Sequence, residues 1–369
     1  MTPIKWNGST WVNTNEDDTG WYDYENKIWA NAQTEDGSFW VWIPRYAYQI
    51  ASGYHTGTAG NVNVKFLIDK TNNTIDETTI DATPSYSGDS QTNYIVHPAF
   101  TFGSTEISGF WAAKFEASID NDVIKSIPNV ESRGFITPGN AFEFSFNMRN
   151  NSIYGWHEDN RVDTHLMKNS EWGAVAYMSL SVYGIGSTKI WMNPSSDFIT
   201  GCAGNVETPA SIAGCPYTYE TENGVKASST GTVFGIYDLR GARHTRVAAY
   251  INNANSNLAT HGQQILDADA KYKDVYNIGG SDNQELNYEA NSQRFGDALY
   301  ETSETGGDVY NSSWFNEISR FPYTNDPWLI RGGNCFDGLN TGLTYFSNTQ
   351  GNAWSSLGFR PVLIVDDNI

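Results

Sequence analysis

Hydrophobic and aromatic residues in this chain come in short runs separated by turn residues, a pattern that predicts many short strands and few helices. Residues 39–50, which read FWVWIPRYAYQI, form the most β-prone run. Pro44 has no N–H to give a ladder, so this strand lies at a sheet edge or breaks there. Residues 109–116 read as a second core strand. Residues 62–68 read as an apolar strand within a Thr/Asn/Asp/Ser-rich stretch, an exposed hairpin insertion over 51–93. Residues 1–38 are dense in Trp and Tyr and punctuated by Asn7-Gly8 and Asp36-Gly37, which predicts a small N-terminal module of two or three strands.

Two helix signals stand out. Thr137-Pro138 is a cap followed by proline at the first helical position. Phe142, Phe144 and Phe146 alternate with period two, however, so these residues leave helix and strand both open. Asn169 can cap a helix over 170–178, which is helix-prone apart from Gly173. Beyond about residue 195 the chain reads as loop with short β runs such as 233–237. Near the C-terminus Gly332, Gly333, Gly338 and Gly342 stand where turns would favour them.

Composition narrows the function. A net charge of −20 argues against nucleic acid, because phosphate binding needs Lys and Arg to release counterions. It also argues against anionic membrane surfaces, and no apolar run approaches the roughly 18 residues needed to cross a bilayer. Only 17% of residues are charged while 14% are aromatic, and Gly, Asn, Ser and Thr abound. That balance suits a loop-rich exterior protein and the chemistry of adaptable binding surfaces. No secretory signal is visible at the N-terminus. Cys202 and Cys215 flank a short loop of small residues, either a local disulfide in an oxidising setting or two buried thiols. Cys335 is left over.

Six landmarks occur in order: Val41-Trp42-Ile43-Pro44, Gly109-Phe110-Trp111 through Lys114-Phe115-Glu116, Met167-Lys168-Asn169-Ser170-Glu171-Trp172, Gly235-Ile236-Tyr237-Asp238, Ile330-Arg331-Gly332-Gly333, and Leu357-Gly358-Phe359-Arg360-Pro361-Val362. The order resembles the formylglycine-generating-enzyme branch of the C-type-lectin fold. It resembles still more the variable proteins of diversity-generating retroelements of phages and bacteria. The resemblance spans roughly residues 39–365 and implies an α+β, loop-rich C-type-lectin-like domain over 39–369 with two helices and short antiparallel strands. It favours helix over 138–149. It also implies a diversified ligand-binding region over 331–360, with Asn334, Cys335, Phe336, Asp337, Leu339, Asn340, Tyr345, Ser347, Thr349, Asn352, Trp354 and Ser355 as contact residues. Several of these are amino acids that altered Asn codons give; Trp354 is not. Large apolar and small polar side chains mixed without periodicity, between strand-like flanks, fit a binding loop on a rigid frame. Phe336, Leu339, Tyr345 and Trp354 would anchor it, with Asp337, Asn340, Ser347 and Asn352 as polar contacts.

The enzyme branch needs a cysteine pair after its Arg-Gly-Gly, and here Cys335 is alone. The histidines (His55, His97, His157, His165, His244, His261) lack helical metal-ligand spacing. Glu116, Glu171, Asp238, Asp297 and Glu301 lie near the landmarks, and clustered carboxylates would suit calcium. The sequence departs from the family at Arg240-Gly241-Ala242-Arg243-His244-Thr245-Arg246. This basic cluster is either a second contact surface or an ion-paired one.

The expected function is therefore ligand recognition without catalysis or a required cofactor. The chain would be a phage-tail receptor-binding protein or a surface adhesin that binds a host-cell protein or glycan, is assembled with other virion or surface proteins, and is displayed as a homo-oligomer such as a trimer. A formylglycine-generating-type oxidoreductase and a structural virion or surface component are the alternatives.

Overall fold

The computed structural model describes residues 1–80, 83–156, 161–205 and 211–365; His157 lies outside them. The architecture is mixed α+β, mostly short strands with few helices and long loops. One antiparallel sheet runs in the order Val162–Leu166, Pro361–Val365, Gly109–Ala113, Phe39–Pro44, Asn31–Gln33, Thr2–Trp6, Trp11–Asn13. The strands of residues 1–38 thus extend this sheet rather than forming one of their own. Phe39–Pro44 lies inside the sheet and ends at the proline, where the chain turns through Arg45 into Tyr46–Ile50, the centre of a separate three-stranded sheet with Val62–Phe66 and Ile95–Val96.

A second sheet carries Asp274–Tyr276, His244–Ile251, Trp328–Gly332, Gly342–Thr349, Glu317–Arg320 and Gly307–Ser313 in that order, with Leu357–Phe359 pairing parallel to His244–Ile251. The large core is filled by Trp29, Trp40, Trp172, Trp314 and Trp328, all fully buried.

Four α-helices, not two, occur among the described residues: α1 (Pro138–Asn147), α2 (Asn169–Leu180), α3 (Ser256–Asp267) and α4 (Gln284–Glu289), and α3 and α4, with the strand His244–Ile251, lie in the stretch beyond residue 195 that the sequence reads as loop. The period-two phenylalanines did not prevent α1. The Thr137 side chain accepts from the Asn140 amide, Pro138 starts the first turn, and Phe142 and Phe146 stack one turn apart. The cap of α2 is not Asn169. Lys168 is the capping position, and the Glu171 carboxylate accepts from its amide at 2.8 Å, while the buried Asn169 side chain donates to the Tyr276 hydroxyl at 2.7 Å. Nearly every α2 residue is buried, as a helix in the centre of a core requires. Gly173 permits this: a Cβ there would lie 2.0 Å from the Gly296 carbonyl oxygen. No helix among the described residues is long and apolar enough to cross a membrane.

The run 233–237 is not a strand. The buried Lys114 ammonium collects the carbonyls of Val233 and Gly235 at 2.7 and 2.8 Å, together with Asn31 Oδ1, and so bends this segment around itself. Cys202 and Cys215 are disulfide-bonded, with Cα atoms 5.4 Å apart.

Candidate ligand-binding cleft

The second sheet presents one face to a cleft of about 480 Å³. Its floor follows the strand order: His244, then Ile330, then Tyr345, Ser347 and Thr349, then Ile318 and Arg320, then Tyr310. Alternation along Gly342–Thr349 puts Tyr345, Ser347 and Thr349 on the cleft side while Phe346 enters the core. Ser347 pairs with Ile330 across the strands. Two irregular segments contribute Asn334, Phe336 and Asp337 on one hand and Trp354 and Ser356 on the other. Gly332 and Gly333 take left-handed φ values of 81° and 72°, which turn the chain out of its strand into the first segment.

The expected contact residues divide into three groups. Asn334, Phe336, Asp337, Tyr345, Ser347, Thr349 and Trp354 line the cleft. Phe336 and Trp354 are 58% and 61% exposed, but Tyr345 is only 3% exposed and stacks on His244, so it belongs to the floor and is not a free anchor. Leu339 is exposed and Asn340 half-buried outside the cleft, where the Asn340 amide donates to Asn311 Oδ1 and the Asn316 carbonyl. Asn352 and Ser355 are half-buried beside it. Cys335 is wholly buried against Met192 and Phe198, because its amide is drawn inward to the Ala242 carbonyl, so its side chain cannot meet a ligand. Burial pushes its thiol up to about 12, which makes it a poor nucleophile.

Floor residues His244, Tyr310, Ile318, Arg320 and Ile330 were missed because they belong to flanking strands. Only His244 carried a signal, through the basic cluster. Its Nε2 lies 2.8 Å from the Asn334 amide nitrogen and 3.5 Å from Asp337 Oδ2. Burial lowers its pKa, with Asp337 opposing, which favours the neutral ring near pH 7. Arg320 lies over the Tyr310 ring at 4.9 Å. The cleft therefore combines aromatic faces with one carboxylate, one guanidinium and several amides and hydroxyls, a set suited to holding an amphipathic protrusion.

The backbone of the binding segment is held mainly by side chains outside it. Arg246 Nε donates to the Ile136 carbonyl at 2.8 Å, and its Nη2 donates to those of Asn352 and Gly351 at 2.6 and 3.3 Å. Arg331 and the Trp172 indole both donate to the Leu343 carbonyl. The Glu317 carboxylate accepts from the Thr344 amide and hydroxyl, and Lys189 donates to the Leu339 carbonyl. The cluster around Arg240, Arg243 and Arg246 is thus neither a contact surface nor, in the main, an ion-paired one. All three are buried and bond chiefly to backbone carbonyls, and Glu131 beside Arg243 is the one carboxylate that pairs with them among the described residues. Phe135, exposed and held at φ 52°, donates its amide to the Trp354 carbonyl and adds an aromatic side chain next to the cleft.

The acids considered for calcium do not converge, and no group of three metal-ligating side chains occurs among the described residues. Glu301 accepts from Tyr48, Tyr177 and the Gly296 amide; Asp238 accepts from Asn193 and the Gly201 amide; Glu171 serves His165. Burial and the neighbouring Asp238 push Glu116 up to about 8.

No protein-family model matches the chain, and no curated protein matches it. Among solved structures it is similar to the Major Tropism Determinant M1 variant at 12% identity and a TM-score of 0.33, covering 99% of this chain and 86% of that one. The U1 variant matches at 13% and 0.32 over 99% and 86%, and the I1 variant at 12% and 0.32 over 97% and 93%.

Proposed function

We propose that this chain is a receptor-binding protein that recognises a host-cell surface protein or glycan through the cleft on its second sheet. It would be displayed as a homo-oligomer on a virion tail or cell surface, with a C-type-lectin-like domain as the frame. The observation that carries this reading is the division of labour in the binding segment. Its side chains line the cleft, while its main chain is bonded by Arg246, Trp172, Glu317 and Lys189 from elsewhere in the fold. A surface built this way can change its chemistry without changing its shape. The thiol of the segment, Cys335, is buried behind the cleft and out of a ligand's reach.

Randomising Asn334, Phe336, Asp337, Ser347, Thr349 and Trp354 together tests it. Most library members are expected to stay folded by thermal melting and to yield binders when selected against an unrelated purified protein. In parallel, the labelled chain should decorate some strains in a panel of bacterial cells, and Phe336→Ala with Trp354→Ala should abolish that signal. A library that largely unfolds, or a cell signal untouched by the double variant, overturns the reading.

A further inference from the structure

A second concavity, of about 970 Å³, shares no lining residue with the cleft. It lies between the start of α2, the segment 269–274, the segment 293–297 and the residues around Pro98. In a chain of net charge −20, Lys168, Lys271, Lys273 and Arg294 all line it. Two of these are already engaged. Lys273 donates to the Ile265 and Leu266 carbonyls at the end of α3, and Arg294 pairs with Asp274 at 3.1 Å.

Lys168 and Lys271 differ. Their ammonium nitrogens lie 5.4 and 4.8 Å from the centroid of the same Phe102 ring. His165 stacks on that ring at 5.2 Å and occupies one of its faces, so the two ammoniums share what remains. Lys168 is 3.6 Å from Glu171, but Glu171 also serves His165, and the neighbouring Asp163 is taken by His165 and Arg149. The Lys271 ammonium makes no ion pair or hydrogen bond among the described residues. Two like charges gathered on one ring repel each other, and with Glu171 reaching only Lys168, an anion placed between the two ammoniums would relieve that repulsion.

We propose that this groove is a separate binding site for an oligosaccharide bearing a single carboxylate or sulfate group, with the acid seated between Lys168 and Lys271. The walls suit a polyol. Thr101, Ser170 and Gln293 offer hydroxyl and amide groups, and Pro98 and Phe295 offer flat apolar faces for sugar C–H groups. Asp269, Asp274 and Asp297 also line the groove; Asp297 is buried and bonded to Tyr276, and the other two accept from sugar hydroxyls and repel a polyanion, which sets the limit at one acid per ligand. At physiological salt, charges beyond about 8 Å are screened, so the local lysines outweigh the negative total.

The test is calorimetric titration of the full chain with sialyllactose, a sulfated disaccharide, lactose and sodium sulfate. The first two arms separate carboxylate from sulfate. At least one should bind about tenfold more tightly than lactose. Lys271→Glu should remove that preference, Lys271→Met should reduce it about tenfold, and Phe336→Ala with Trp354→Ala should leave it unchanged, which separates this site from the cleft. Equal binding of lactose, no binding of either acidic sugar, sodium sulfate binding as tightly as the sugars, or a preference unaltered in Lys271→Glu each overturns the proposal.

Discussion

Arg246→Met removes the guanidinium while keeping most of the side-chain stem, and so asks whether the binding segment is held from outside. Three carbonyls lose this donor, those of Ile136, Gly351 and Asn352, although the Asn352 carbonyl keeps the Trp354 amide. Asn352 is half-exposed and its carbonyl can recruit water, whereas Ile136 and Gly351 are buried. A buried acceptor left without a partner costs about 1–3 kcal/mol. Against this, the wild-type protein bears the cost of a fully buried cation, several kcal/mol, which methionine relieves in part. The two acceptors together cost about 2–6 kcal/mol and the relief offsets part of that, so the variant is expected to be destabilised by less than about 6 kcal/mol. Urea unfolding measures that total, and amide hydrogen exchange shows where it falls. The amides of Phe135 and Leu357 both donate to the Trp354 carbonyl, so their exchange should accelerate well beyond the global change. Arg246→Lys, with one point donor in place of a fork, should fall between the two. A variant that loses stability globally while these two amides keep their relative protection would refute the idea that Arg246 sets the shape of the wall.

Trp354→Ala should change stability by no more than about 0.5 kcal/mol, since the ring is mostly in water, whereas Tyr345→Ala should cost about 3–5 kcal/mol; chemical denaturation of both variants decides whether Tyr345 is floor or anchor. Opening the 202–215 disulfide with the double serine variant should cost about 3 kcal/mol, from a sequence separation of 13, and the loss should vanish when both proteins are compared under reducing conditions. Stability should also depend on pH through the buried Asp163–His165–Glu171 chain. Burial opposes all three charges, but the carboxylates raise the His165 pKa, and the histidine with Arg149 and Lys168 lowers both carboxylate pKa values. The histidine contribution is therefore complete below pH 6.5 and fades as pH rises through its raised folded value. The carboxylate contributions are complete above about 4.5 and fade as pH falls through their lowered ones. In His165→Gln the loss of stability above pH 6.5 should disappear from unfolding curves taken across pH.

Strands were legible in this sequence wherever aromatic and β-branched residues gathered between turn signals, as in 39–50, because period two needs only local information. The break at Pro44 was legible for the same reason, but its place in the sheet was not: Phe39–Pro44 is interior because residues 1–38 fold back beside it, a long-range pairing with no local mark. Helix α1 defeated periodicity because two of its phenylalanines, Phe142 and Phe146, stack at i, i+4 on one helix face while Phe144 lies off it, which a period-two reading cannot distinguish over so short a span. The run 233–237 failed in the opposite direction. Its β-prone residues are bent by a lysine more than a hundred positions earlier.

The binding segment shows most plainly where local reasoning ends. Its mixed, aperiodic composition marked it as a loop-like surface, and seven of its twelve expected contacts do line the cleft. What composition could not supply is which side chains turn inward, since that is decided by partners outside the segment. Cys335 is drawn in by the Ala242 carbonyl, and Phe336, its neighbour, is left in water. The same outside partners explain why so many arginines are buried in a chain with few basic residues to spare. A guanidinium satisfies several carbonyls of irregular backbone at once, which no apolar side chain can do and which a regular strand does not need. Arg246, Arg331 and Arg360 each bridge two or more such carbonyls, and Arg243 holds the Ser132 carbonyl with two of its nitrogens. If these bonds, and not packing of the cleft side chains, carry the shape of the segment, then substitutions among cleft side chains should be nearly additive in stability, while any of them combined with Arg246→Met should not. Double-mutant cycles pairing Trp354→Ala with Phe336→Ala and with Arg246→Met measure the difference. A coupling above about 0.5 kcal/mol in the first pair and none in the second would reverse the assignment.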